Sequence, residues 1–233
     1  MATRTNAWIS YVEQLLYRGV GVAPHPSKFY LCASASAALT RASGFADFIR
    51  AELKPEFGYQ RQQVLWSGNG TYSNTNQRHE LPTVTTTWTA ASGTLQFQTV
   101  FLLANAHSKA SESFAPSNVS GSTITIAGNL LANGDTVIPV ADAGSTLPGN
   151  LVSNTAYTAI NVNSGTGAFQ FSSDGVNPIT LSNAGSGTFQ LRYATGVVVL
   201  LQVEANAVSL QTGRPVQYDI DLVGMNAAYG SGV

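Results

Sequence analysis

The chain has one cysteine, Cys32, among 233 residues. An intramolecular disulfide and a four-cysteine metal site are both excluded. One lone thiol fits a protein made and assembled in a reducing cytoplasm. Charge is scarce too: Asp, Glu, Lys and Arg supply 10% of the residues, against about 25% in ordinary globular domains. The formal net charge is −1. The basic face that a nucleic-acid binder needs is missing, and no nucleic-acid partner is expected. No run of about 18 apolar residues occurs, so no membrane span is indicated. The opening MATRTNAWISYVEQLLYRG lacks the apolar core of a signal peptide.

Reactive groupings are equally thin. His25, His79 and His107 are the only histidines, far apart and outside any HxH or HExxH spacing, so no metal site is expected. No GxSxG elbow occurs. Cys32 lies in the apolar run FYLCAS and reads as a small core residue. Asp219 and Asp221 in YDIDL share one strand face; they read as its solvent side, with an acid–base or calcium pair as the sharper alternative. GNGTYSN and SGTGA resemble phosphate loops, but no GK[ST] follows either. Trp66, Trp88 and Tyr72 fit a sugar-stacking platform, or more simply core and interface aromatics. No feature demands catalysis or a cofactor, and a non-enzymatic protein is expected.

What fills the gap is Ser, Thr, Asn, Gln and Gly beside a 44% apolar share. Such polar, uncharged surfaces suit contact with other proteins, because few charges must be desolvated. Thr5 to Arg18 predicts a helix, with Trp8, Val12, Leu15 and Leu16 on one stripe and Gly19 closing it. FYLCASASA from Phe29 predicts a strand. Arg41 to Leu53 predicts a second short helix, stopped by Pro55. From Tyr59 the period becomes two: YQRQQVLWS, HELPTVTTTWTA, LQFQTVFLLANA, then Val197–Val203 and VQYDIDLV read as strands, with GNGTYSN as a turn.

Between Ala110 and Leu191 there is no Lys or Arg at all. STITIAG, DTVIPV, TAYTAINV, GAFQFSS, NPITLSN and GTFQLRY are strand-like runs bounded by Gly- and Asn-containing turns. A flexible Gly/Ser linker would lack that apolar alternation. The expected fold is therefore mainly β. An antiparallel β-sandwich or barrel-like host domain (1–109 and 192–233), with one or two short N-terminal helices, carries an inserted small antiparallel β domain (110–191). TVFLLANA and VVVLLQVEA would pair as the hairpin that the insert interrupts. The echo GTGAFQF…GSGTFQL would then form two edges of one small sheet.

This order of segments resembles a family of small tailed-bacteriophage virion proteins. The likeness rests on a Y-x-R-Q strand (Tyr59, Arg61, Gln62), Asn74 or Asn76 after a turn, Trp88 before Gly93, and a late Gly213…Val216 strand. The insert is similar to a module recurring in phage structural and tail proteins. Its trace is Asn133–Asp135, Leu147–Leu151, Asn154–Tyr157, Phe169–Ser172 and Gly185–Gly187, departing at Thr158-Ala159, where the usual form has Tyr-Val. The resemblance implies a structural place in a virion, assembled in the host bacterial cytoplasm. A capsid cement or decoration protein is the first expectation, with other virion proteins as partners: the major capsid protein and copies of itself. A tail, neck or baseplate component and a host-surface or glycan-binding protein are the alternatives. Trp8, Tyr11, Leu15, Leu16 and Tyr229 are the candidate contact residues; the competing expectation for Trp8 and Leu15 is packing on the protein's own sheet.

Overall fold

The computed structural model describes residues 3–6, 9–11, 27–66, 71–73, 78–80, 82–220 and 225–229, with side chains described for 5–6, 9–11, 27–66 and 82–220. The first stretch of chain supplies β1 (Thr3–Arg4), β2 (Phe29–Ser34), helix α1 (Phe45–Ala51), β3 (Gln62–Gln63), β4 (Thr71–Ser73), β5 (Arg78–Glu80), β6 (Val84–Thr89) and β7 (Thr94–Ala104). The middle supplies β8 (Ser111–Phe114), β9 (Val119–Ser120), β10 (Thr123–Thr125), β11 (Thr136–Ala141), β12 (Tyr157–Asn163), β13 (Ala168–Ser172) and β14 (Phe189–Tyr193). The chain ends through β15 (Val197–Gln211), β16 (Pro215–Ile220) and β17 (Met225–Tyr229). The protein is thus mainly β with antiparallel sheets, as its alternation implied. It divides into two compact units, Met1–Ser108 with Gly196–Val233, and Lys109–Thr195.

In the host unit, one sheet runs β1-β15-β7-β2-β3 and another β17-β16-β6, with β4 and β5 as a separate pair. The hairpin expected across the insert is present: Val197 faces Ala104, and the ladder continues to Gln211 opposite Thr94. It bulges between Val203 and Val208. The burial of β7 follows its surroundings. Its first half alternates, and Val100–Ala104 is buried throughout, as a strand covered on both faces must be. On one face Phe48 of α1 meets Phe101 at 5.2 Å. Phe97 of β7, Trp88 of β6 and Tyr218 of β16 form an edge-to-face cluster, 5.6 and 5.8 Å from the Trp88 ring. This cluster joins the two larger sheets in the manner of a sandwich, and it makes Trp88 a core residue, 1% exposed.

Several sequence expectations shift at element ends. The second helix covers Phe45–Ala51, shorter than Arg41 to Leu53. At its start Thr40 and Ser43 bond each other's backbone (Thr40 N–H to Ser43 Oγ, 2.9 Å; Ser43 N–H to Thr40 O, 3.1 Å), a local turn that competes with helix. At its end Glu52 turns to extended backbone, φ −58° and ψ 142°. The strand expected from Tyr59 contracts to Gln62–Gln63; Tyr59 and Arg61 alternate inward with exposed Gln60 between them, but their side chains enter a polar cluster and their backbone joins no ladder. Thr71–Ser73, expected within a turn, pairs with β5. Of the first predicted helix, residues 9–11 are helical and Ile9 N–H donates to Thr5 O at 3.2 Å; the stretch from Val12 onward lies outside the described residues.

The inserted unit is one seven-stranded sheet in the order β8-β14-β11-β12-β13-β10-β9. Phe189, Leu191 and Tyr193 share one face of β14 and are fully buried with Phe169, Phe171 and Ile124. The echo is corrected: β13 and β14 are both interior strands, separated by β11 and β12. The edges are the short β8 and β9. NPITLSN forms no strand. Pro178 offers no N–H to a ladder, and in place of one the segment makes an isolated bridge to Ser172, a bond from Ile179 N–H to Phe171 O at 2.8 Å, and bonds to loop side chains such as Asn150 Nδ2 to Thr180 O at 2.7 Å. Leu181 still enters the core.

Candidate functional site

In the host unit Tyr59 and Arg61 of the Y-x-R-Q segment meet Glu52 in a buried polar clasp. Arg61 and Glu52 are 5% and 2% exposed. The guanidinium grips the carboxylate in bidentate fashion, Nε to Oε1 at 2.8 Å and Nη2 to Oε2 at 2.7 Å. Tyr59 donates to the same Oε1 at 2.9 Å and accepts from Ala33 N–H at 3.0 Å. Arg61 Nη1 donates to His107 O at 2.8 Å. Burial alone would lower the Arg61 pKa, but the Glu52 carboxylate overrides it and holds the group charged. Burial pushes the Tyr59 phenol and the Cys32 thiol well up, and adjoining Glu52 adds to both. These groups are kept protonated, so neither is poised as a nucleophile. The clasp ties α1, β2 and the approach to β3 together; its chemistry is fixation.

Other described motif residues are also spent on architecture, while Asn74 and Asn76 lie outside the described residues. Trp88 Nε1 donates to Gln60 O at 2.8 Å. Val216 is fully buried. In the insert, Asn133 Oδ1 accepts from Val162 N–H at 2.9 Å, and Asp135 accepts from Ala132 N–H at 2.7 Å and from Thr195 Oγ1 at 3.2 Å. The Tyr157 hydroxyl accepts from Val152 N–H at 2.9 Å. A Cβ on Gly185 would stand 2.4 Å from Thr146 O. Among the described residues no group of three His, Cys, Asp or Glu side chains is placed to hold a metal ion. No helix among them is long and apolar enough to cross a membrane.

One surface feature breaks a local rule. Phe57, Asn105, Asn150, Asn154 and Asn161 are the described non-glycine residues with positive φ. Asparagine tolerates that region; a bulky aromatic does not. Phe57 (φ 54°) and Gly58 (φ 89°) are the central residues of a turn closed by Tyr59 N–H to Glu56 O at 2.9 Å. Two successive positive φ values mark the type I′ form, whose usual sequence is Asn-Gly. Strain of this kind costs about 1–3 kcal/mol and persists only where neighbours enforce it. The neighbours are two further turns. Ala91 N–H donates to Phe57 O at 2.9 Å, Gly213 N–H to Ala90 O at 3.0 Å, and Thr212 Oγ1 to Gly93 O at 3.1 Å. The Phe57 ring lies on Gly93, where a Cβ would come within 2.6 Å of it. The residue nonetheless stays 47% exposed. An open groove of about 540 Å³ begins at Arg214 and Pro215 and follows β15 from Leu210 back to Glu204.

Of the residues expected from sequence as contacts, Tyr11 and Tyr229 fall among those described. Trp8, Leu15 and Leu16 lie outside the described residues. Tyr11 is helical and half-buried; burial raises its phenol pKa, and the Asn105 side chain partly offsets this. Tyr229 ends β17 opposite Val216. Trp66, expected as stacking platform or core, packs edge-on against Phe29 at 4.9 Å. Phe57 escaped the sequence reading, because Phe-Gly carries no turn signal of its own. No known protein family, curated protein or solved structure matches the chain.

Proposed function

We propose that the protein is a non-enzymatic structural component of a tailed-bacteriophage virion, a cement or decoration protein that stabilises the capsid shell. Its partners in this reading are the major capsid protein and further copies of itself. The observation that carries the proposal is the division of labour along the chain. A host sandwich keeps its β7–β15 hairpin in register on either side of an inserted unit with its own sheet and core. That organisation supplies one body for attachment and a second, separable module. The motif side chains that could have done chemistry are locked inside these bodies, and the polar, weakly charged surface suits lasting protein contact. Each standard interface of ~1,600 Å² stabilises without any reaction, and repetition by particle symmetry turns modest contacts into high avidity.

The test is a comparison of particles assembled with and without the protein. Heads lacking it should lose their DNA at lower temperature or on dilution. Equal stability of the two, or immunogold labelling confined to the tail, would overturn the cement assignment. A virion carrying a chain without 109–195 should still assemble.

A further inference from the structure

We propose that Phe57 is an assembly anchor, held out from the host unit to enter an apolar pocket on the shell protein rather than on a second copy of this chain, with Arg214 receiving a carboxylate beside that pocket. The inference rests on the structural reading above and names the surface it would use. Three turns lock this end of the host unit, through bonds from Ala91 N–H to Phe57 O, Gly213 N–H to Ala90 O and Thr212 Oγ1 to Gly93 O. They force an aromatic residue into a backbone region that asparagine would occupy without strain. A phenylalanine whose role was only to fill the core would be buried; this residue is 47% exposed. Rigid aromatics presented on a fixed backbone are the typical anchors of protein interfaces, because little side-chain entropy remains to be lost on docking.

Charge orients the partner. Arg214 lies on the third turn, exposed, and its guanidinium has no hydrogen-bond or ion-pair partner among the described residues. Glu56, exposed beside Phe57, disfavours an acidic rim on its own side. The complementary surface is therefore an apolar pocket whose carboxylate faces Arg214. The small side chains of Ala205, Ala207 and Ser209 line the groove that continues from Arg214 and leave room for the partner's chain.

The experiment adds full-length protein to particles stripped of it, quantifies the bound fraction by sedimentation, and records the melting temperature of each variant. Phe57→Asn keeps the turn and removes the ring. It is expected to bind at least ten-fold more weakly while melting at the same temperature or higher. Arg214→Glu should weaken binding by a similar factor, and Phe57→Leu should fall between. Wild-type binding by Phe57→Asn would overturn the anchor. So would a Phe57→Asn protein that melts several degrees lower, since the ring would then be part of the fold. A dimer of the free protein that Phe57→Asn dissolves would assign the pocket to a second copy and overturn the choice of partner. Failure of the wild-type chain to bind particles would strike the virion reading itself, a result distinct from all three.

Discussion

Glu52 and Arg61 bring a full ion pair into a place with almost no water, 2% and 5% exposed. Such a pair breaks even against apolar packing at best, yet removing one partner strands the other charge. Glu52→Gln is therefore expected to cost about 3–5 kcal/mol, read as a lower urea midpoint at unchanged slope. Glu52→Leu combined with Arg61→Met should recover most of that loss. A double variant as unstable as Glu52→Gln would mean that shape, not the stranded charge, sets the cost. The sequence marked Tyr59 and Arg61 as one motif but left Arg61 without a partner. Glu52 becomes its partner only because it leaves the helix in extended form and meets the inward-turned Arg61. Side-chain partners brought together by an irregular backbone leave no periodic trace, and the same holds for Phe57 on its turn.

In the inserted unit, strands with clean alternation were legible and their neighbours in the sheet were not, whereas the β7–β15 pairing of the host unit was. Phe169 and Phe171 on β13, and Phe189 and Leu191 on β14, announced strands by their alternation, although β14 is buried at every position. Their order in the sheet depends on β8 and β9, whose SESF and VS are too short and polar to signal a strand. The glycines at the second echo are fixed by close approach as well as by turn geometry. Gly185 has φ 76°, and a Cβ there would stand 2.4 Å from Thr146 O. Gly185→Ala should destabilise the inserted unit by about 2 kcal/mol or more, measured by thermal unfolding of that unit. The next strand end carries a pH effect. Burial pushes the Tyr193 phenol up to about 12, against Leu130 N–H, which donates to it. In the unfolded chain a tyrosine ionises near pH ~10. Stability from this group is whole below pH ~10 and is lost as pH rises from there through the folded value. Alkaline titration followed by near-ultraviolet circular dichroism should show that loss, and Tyr193→Phe should flatten it; an unchanged slope would remove Tyr193 as its cause.

At the scale of the whole molecule, the break in composition from Ala110 to Leu191 lies within a structural unit running from Lys109 to Thr195 and nearly fills it. A stretch without lysine or arginine marks a change of module; the last residues of β14 and Thr195 share no such mark and join the unit through hydrogen bonds, Thr195 Oγ1 to Asp135 among them. Because each unit holds its own core, the 109–195 fragment made alone should unfold cooperatively. The host chain with Ser108 joined to Gly196 through a short turn should keep its sheets by circular dichroism. Loss of fold in either would show that the units depend on each other. The central claim, that this chain cements a capsid, is tested most directly by a density map of the intact virion. The host unit is expected to lie across joints between shell subunits, repeated with the symmetry of the head. Density for the chain on the tail or neck, or a complete map of the particle without it, would contradict the account.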